Sequence, residues 1–121
     1  MTTGKLQIKR AYAPYDTSDG YRVLVDRLWP RGFTKERLQC QRWSKEISPS
    51  QELRKRFHGT PDFTGFTAAY VTELDGNEAA RSFVTLCRAH LNQGNVTLVY
   101  ASKDEAHNNA VVLKDWLIAH I

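Results

Sequence analysis

Two stretches of this chain gather the residue types that handle charge and protons. Tyr21–Gly32 reads YRVLVDRLWPRG and carries Arg22, Asp26, Arg27, Trp29, Arg31 and Gly32. Val96–Leu113 reads VTLVYASKDEAHNNAVVL and carries Ser102, Lys103, Asp104, His107 and Asn108. A guanidinium is a flat fork that grips a carboxylate or phosphate with two parallel hydrogen bonds. In Trp29-Pro30-Arg31-Gly32, Pro30 fixes φ and Gly32 permits a positive φ, so the turn presents Trp29 and Arg31 on a stiff frame. In the second stretch Asp104 and His107 share one face if the segment is helical, and an Asp–His pair makes His107 a general acid or base. Asp26 is a second carboxylate able to orient that imidazole. A carboxylate buried without a partner is costly, so Asp26 is expected to pair with Arg22 or Lys103. A rival reading makes both clusters a buried polar network that fixes the fold and presents a surface to a protein partner.

The elements that must position these residues follow from periodicity. Lys5–Arg10 alternates polar and apolar and reads as a half-buried edge strand. Ala11–Gly20 is a turn-rich loop with Tyr12 and Tyr15. Tyr21–Leu28 reads as a buried strand, with residues 22–27 delivering Asp26 and Arg27 to its C-terminal end. Alternation places Arg22, Leu24 and Asp26 on one face and Val23, Val25 and Arg27 on the other. Thr34 opens a short helix through Leu38, with a second helical piece around Trp43. Ser48-Pro49 and Thr60-Pro61 both look like a cap followed by a first-turn proline. Phe63, Phe66, Tyr70 and Leu74 then recur at helical spacing, Gly76 ends that helix, and Asn77 caps the next. Ala80, Phe83, Val84, Cys87 and Leu91 form its core stripe. Val96–Tyr100 is apolar enough to be buried on both faces, as in a central parallel strand. A capping box from Ser102 to Glu105 would start the last helix near Ser102, whose N-terminus would then face the same sheet rim as the Trp-Pro-Arg-Gly turn.

These elements predict an α/β fold: one domain over residues 1–121, with a small, mostly parallel sheet of three to four strands flanked by about five helices. Hydrophobic residues are 41% and charged residues 25% of the chain, as in ordinary soluble proteins. No run approaches the roughly 18 apolar residues of a membrane span, and MTTGKLQIKR has no apolar signal core, so a reducing cytoplasm is expected. Cys40 and Cys87 are expected to stay free. The net charge is +4 and unevenly spread: residues 1–60 hold 13 Lys/Arg against 6 Asp/Glu, and the remainder 4 against 7. Nucleic acid is therefore a second candidate partner, with Trp29, Trp43 or Tyr15 stacking on bases. A continuous surface stripe of Arg37, Arg42, Lys45, Arg54 and Arg56 would favour it. Basic groups confined to Arg27, Arg31 and Lys103 would favour a small anion. A metal would need Asp26 or His58 to join Asp104 and His107, without any supporting HxxxH or CxxC, so none is expected. P-loop, dinucleotide and nucleophile-elbow motifs are absent from the sequence, and no cofactor is named by it.

Taken together, Asp19–Gly32 (DGYRVLVDRLWPRG), Ile47–Lys55 (ISPSQELRK), Phe57–Gly59 and Val96–Leu113 resemble the YeaO-like branch of a bacterial family of unknown function, domain of unknown function 488. The resemblance covers nearly the whole chain. It implies a compact cytoplasmic α/β domain and no stated activity. By position it singles out Arg22, Asp26, Arg27, Trp29, Pro30, Arg31 and Gly32, then Lys103, Asp104, His107 and Asn108. The pattern usually continues His-Asn-His where this chain reads His107-Asn108-Asn109. The expectation is a binder or enzyme for a small phosphate- or carboxylate-bearing ligand. Arg22, Arg27, Trp29, Arg31, Gly32, Ser102, Lys103 and Asn108 would hold the ligand. His107, Asp104 and Asp26 would move protons.

Overall fold

The computed structural model describes residues 4–121. The strands are β1 (Leu6–Arg10), β2 (Tyr21–Leu24), β3 (Arg42–Trp43) and β4 (Val96–Tyr100). The helices are α1 (Lys35–Leu38), α2 (Gln51–Phe57), α3 (Phe63–Asp75), α4 (Glu78–Leu91) and α5 (Asn109–His120), with 3-10 turns at Thr17–Asp19 and Lys45–Ile47. All pairings are parallel, in the order β1-β4-β2-β3. The α/β class, the small parallel sheet and the five helices are those the sequence predicts.

Every residue of β4 is buried, because it lies between β1 and β2 with both faces covered. The alternation of β2 and β4 sorts the core into two unequal layers. Val23 and Val25, with Val96, Leu98 and Tyr100, pack in the larger cluster with Leu53, Tyr70, Leu74, Phe83, Leu113 and Leu117 of the helices. Leu24 and Val99 pack in the smaller cluster with Ala11 and Leu38, flanked by Trp29, Phe33 and Cys40. Cys40 and Cys87 are free thiols, and burial pushes them up to about 11 and about 12, so neither is a ready nucleophile.

Several boundaries differ from the expected ones, each for a local reason. β2 ends at Leu24 rather than continuing to Arg27. Val25 still donates to Val99 O, but the Asp26 carbonyl is taken by the Trp43 indole N–H at 2.8 Å and the chain turns outward. Trp43 lies in a two-residue strand, not a helix, because Arg42 and Trp43 register beside Val23 and Leu24. Ser48 closes the preceding 3-10 turn by donating to Lys45 O, so Ser50 caps α2 by accepting from Leu53 N. Asp62, not Thr60, caps α3 through Gly65 N. Thr34 and Asn77 cap α1 and α4 as predicted.

The last helix starts at Asn109 rather than near Ser102. Asp104 Oδ1 accepts from both Ala106 N and His107 N, and Ser102 Oγ accepts from Asp104 N. These local bonds give the backbone an alternative to helix, so residues 101–108 form a loop and Asn108 becomes the cap.

Candidate functional site

The turn after β2, the loop after β4 and the α2–α3 segment enclose a cleft of about 890 Å3 at the C-terminal ends of the two strands. That volume lies within the usual range for small-molecule sites, about 300–1,000 Å3. Of the sequence-predicted residues, Asp26, Arg27, Trp29, Arg31, Ser102, Asp104, His107 and Asn108 line it. Both stretches therefore meet at one place, as their positions after adjacent parallel strands require.

Asp26 sits at the junction of β2 and β4. Its Oδ2 accepts from Ala101 N at 2.9 Å and its Oδ1 from the Asn109 amide at 3.1 Å. The same Asn109 nitrogen donates to Val25 O, tying α5 to the end of β2. Burial raises the Asp26 carboxyl above its ordinary value, against the opposing pull of the Ala101 N–H, the Asn109 amide and the Arg54 charge. The expected partners Arg22 and Lys103 do not reach it: Arg22 is committed to Asp19, Leu38 O and Gln39 O, and Lys103 is exposed.

Arg27 spends its Nε on Pro49 O at 3.0 Å, anchoring the turn to the start of α2, while its side chain still lines the cleft. Trp29 donates to Phe33 O at 2.6 Å and lies edge-on to Trp43, with ring centroids 5.3 Å apart. Arg31 is exposed, and its carbonyl accepts from the Tyr12 hydroxyl. Arg54 of α2 lines the facing side. The ion pairs among the described residues join Lys9 and Arg22 to Asp19, Arg42 to Glu46 and His107 to Asp104, and use none of these three arginines.

The carboxylates around the cleft are differently placed. Asp62 turns one oxygen to the α3 N-terminus. Asp104 takes two backbone N–H groups and His107 Nδ1 at 3.1 Å, and the His107 and Ala106 N–H groups hold its carboxyl below the ordinary value. The predicted Asp104–His107 pair is therefore present, on a loop rather than a helix. His107 lies edge-on to Phe63, with centroids 4.9 Å apart, and the pair is solvent-exposed, at 60% for His107 and 53% for Asp104. Asn108 is buried: it caps α5 through Val111 N and donates to Asp104 O, bracing the loop.

Three predicted residues fall outside the cleft lining. Arg22 is 1% exposed and donates to Asp19 at 2.6 Å, Leu38 O at 2.8 Å and Gln39 O at 3.1 Å, in the layer on the far side of the sheet. Gly32 has φ +87° and shapes the turn from outside the lining. Lys103 points to solvent. Conversely, Asn109, Arg54 and the Phe57, Phe63 and Phe66 wall are residues the sequence reading passed over as site residues. The phenylalanines carried the spacing of core positions, and only the packed fold leaves part of each ring facing the cleft. Among the described residues, no group of three or more His, Cys, Asp or Glu side chains is placed to hold a metal ion. No helix among them is long and apolar enough to cross a membrane.

Residues 5–121 match the family model described as the inactive DUF488-N3 subclade. The chain is 45% identical over 114 residues to the uncharacterised protein YeaO of Escherichia coli (strain K12), covering 93% of this chain and 96% of that one. It is 35% identical over 114 residues to the uncharacterised proteins Rv3073c of Mycobacterium tuberculosis (strain ATCC 25618 / H37Rv) and Mb3100c of Mycobacterium bovis (strain ATCC BAA-935 / AF2122/97), covering 93% of each chain. No solved structure matches.

Proposed function

We propose, for a chain that belongs to the inactive DUF488-N3 subclade of uncharacterised proteins, that the cleft binds a small phosphate- or carboxylate-bearing ligand without transforming it. One observation carries this reading. Arg27, Arg31 and Arg54 line a single cleft and no ion pair of the described residues occupies them, whereas Asp62 and Asp104 turn oxygens to backbone N–H groups of their own segments. Guanidiniums outside any ion pair in a concave site favour an anion, although Arg27 commits its Nε to Pro49 O, and their fork geometry favours carboxylate or phosphate.

Binding is preferred over catalysis on the local chemistry. A proton relay needs titratable groups in series, and Asp26 is contacted by a backbone N–H and a neutral amide. His107 and Asp104 are both more than half exposed, so water screens the coupling between them. The subclade's description points the same way. A nucleic-acid reading is less favoured because Arg42 pairs with Glu46 and Arg54 lines the cleft, which interrupts the expected basic stripe, although Arg37, Lys45 and Arg56 are exposed.

The test is titration calorimetry with inorganic phosphate, sulfate, acetate and succinate, on the wild type and on Arg31→Ala and Arg54→Ala. At least one anion should bind, and each substitution should weaken it about tenfold or more, the scale of a lost charge-assisted hydrogen bond. An affinity that neither substitution changes would place the ligand elsewhere. No binding by any anion would end the reading.

A further inference from the structure

The cleft has a second chemical character beside its charge. Phe57 of α2 and Phe63 and Phe66 of α3 line one wall, each half-buried, packed against the main core while also facing the cleft. Phe63 and Phe66 lie near-parallel with centroids 5.9 Å apart, and Phe57 meets Phe66 edge-on at 6.0 Å. The His107 ring extends this wall. Trp29 and Pro30 of the turn also line the cleft, stiffened by the indole bond to Phe33 O. Aromatic walls are poor surroundings for a bare phosphate, which keeps its water more cheaply in solvent. They suit a flat apolar or heteroaromatic body, which gains by burying its faces on other rings. The cations on the same cleft, Arg27, Arg31 and Arg54, set where a negative group would lie.

We propose that the ligand is an anion carried on a flat aromatic ring, with the ring against Phe57, Phe63 and Phe66 and its carboxylate or phosphate at Arg27, Arg31 and Arg54. This rests on the anion-binding reading and narrows its ligand class. The cleft volume of about 890 Å3 accommodates a ring, an anionic group and a linker between them. Aryl carboxylates and mononucleotides share this chemistry.

Two matched pairs separate the ring from the charge: adenosine 5′-monophosphate against ribose 5-phosphate, and indole-3-acetate against acetate. Affinities are measured by calorimetry on the full chain. In at least one pair the aromatic member should bind about tenfold tighter or more, the scale one stacked ring contributes. Phe66→Leu, which keeps an apolar residue and removes the ring, should cost the aromatic member several times more affinity than the non-aromatic member and so shrink that ratio. Phe63→Leu serves the same purpose should Phe66→Leu fail to fold. Arg54→Ala should weaken both members equally. Equal affinities within both pairs would overturn the aromatic inference and leave the anion reading standing. Binding of free adenosine as tight as that of its monophosphate would overturn both, as would no binding by any of the four.

Discussion

At the residue scale, Arg22 and Asp26, which alternation places on one face, take different partners. Arg22 is enclosed by Asp19, Leu38 O and Gln39 O. Burial alone would raise the Asp19 carboxyl, but the Lys9 ammonium, the Asp16 N–H and the Arg22 guanidinium together hold it below its ordinary value. Removing Arg22 leaves the Leu38 and Gln39 carbonyls without that donor while Asp19 keeps Lys9, at roughly 2–3 kcal/mol. Arg22→Met should therefore lower unfolding free energy in urea by about that amount while leaving anion affinity unaltered, and a loss under about 1 kcal/mol would mean the pair is not structural. Asp26 behaves in the opposite sense to Asp19. Its folded-state value is raised, so the folded chain keeps that proton at a pH where the unfolded chain has lost it. Its contribution to stability falls as pH rises from the ordinary carboxyl value through the raised one. Urea unfolding of the wild type and Asp26→Asn from pH 3.5 to 8 should show the wild type losing stability relative to the variant across that window. Parallel curves would contradict the raised value.

At the element scale, the caps decide where each helix begins, and those beginnings shape the cleft. Asn108 is the sharpest case: by capping α5 it fixes the next residue, Asn109, where its amide reaches Asp26 and Val25 O. Asn77 is the matching control, because it caps α4 through Ala79 N and does not line the cleft. Asn77→Ala should lower unfolding free energy by about 1 kcal/mol, the usual cost of a lost cap, with anion affinity unchanged. Asn108→Ala should cost at least as much and also weaken the anion, because the loop loses its Asp104 O bond. If Asn108→Ala altered melting alone, the loop would not shape the site.

At the scale of the whole molecule, the sheet holds the two polar stretches side by side. β4 is inserted between β1 and β2, so the loops after β2 and β4 emerge together. Close backbone approach at the other end of the sheet secures that arrangement. Gly20 has φ +66°, and a Cβ there would lie 2.2 Å from Asn95 O, which also accepts the first hydrogen bond of β2 from Tyr21 N. The left-handed backbone alone costs a non-glycine residue about 1–3 kcal/mol, and the clash adds to it. Gly20→Ala should therefore lower the melting temperature by many degrees. A shift within about 2 °C would show that the strand entry yields freely.

The sequence by itself determined the α/β class, the central buried strand Val96–Tyr100, a half-buried edge strand within Lys5–Arg10, the caps Thr34 and Asn77, and the presence of two polar stretches at strand ends. These were legible because they depend on short-range chemistry: a run of apolar residues, a period, a hydroxyl or amide before a helix. Tertiary structure decided what those signals left open. Alternation ran past the true end of β2, since the bonds that turn the chain at Asp26 come from Trp43 and Ala101, far away in sequence. The capping box at Ser102 lost to the Asp104 turn bonds and to Asn108. Phe57, Phe63 and Phe66 have the spacing of core residues. That part of each ring faces a cleft follows from where α2 and α3 sit beside the loops after β2 and β4, and no local pattern encodes that placement.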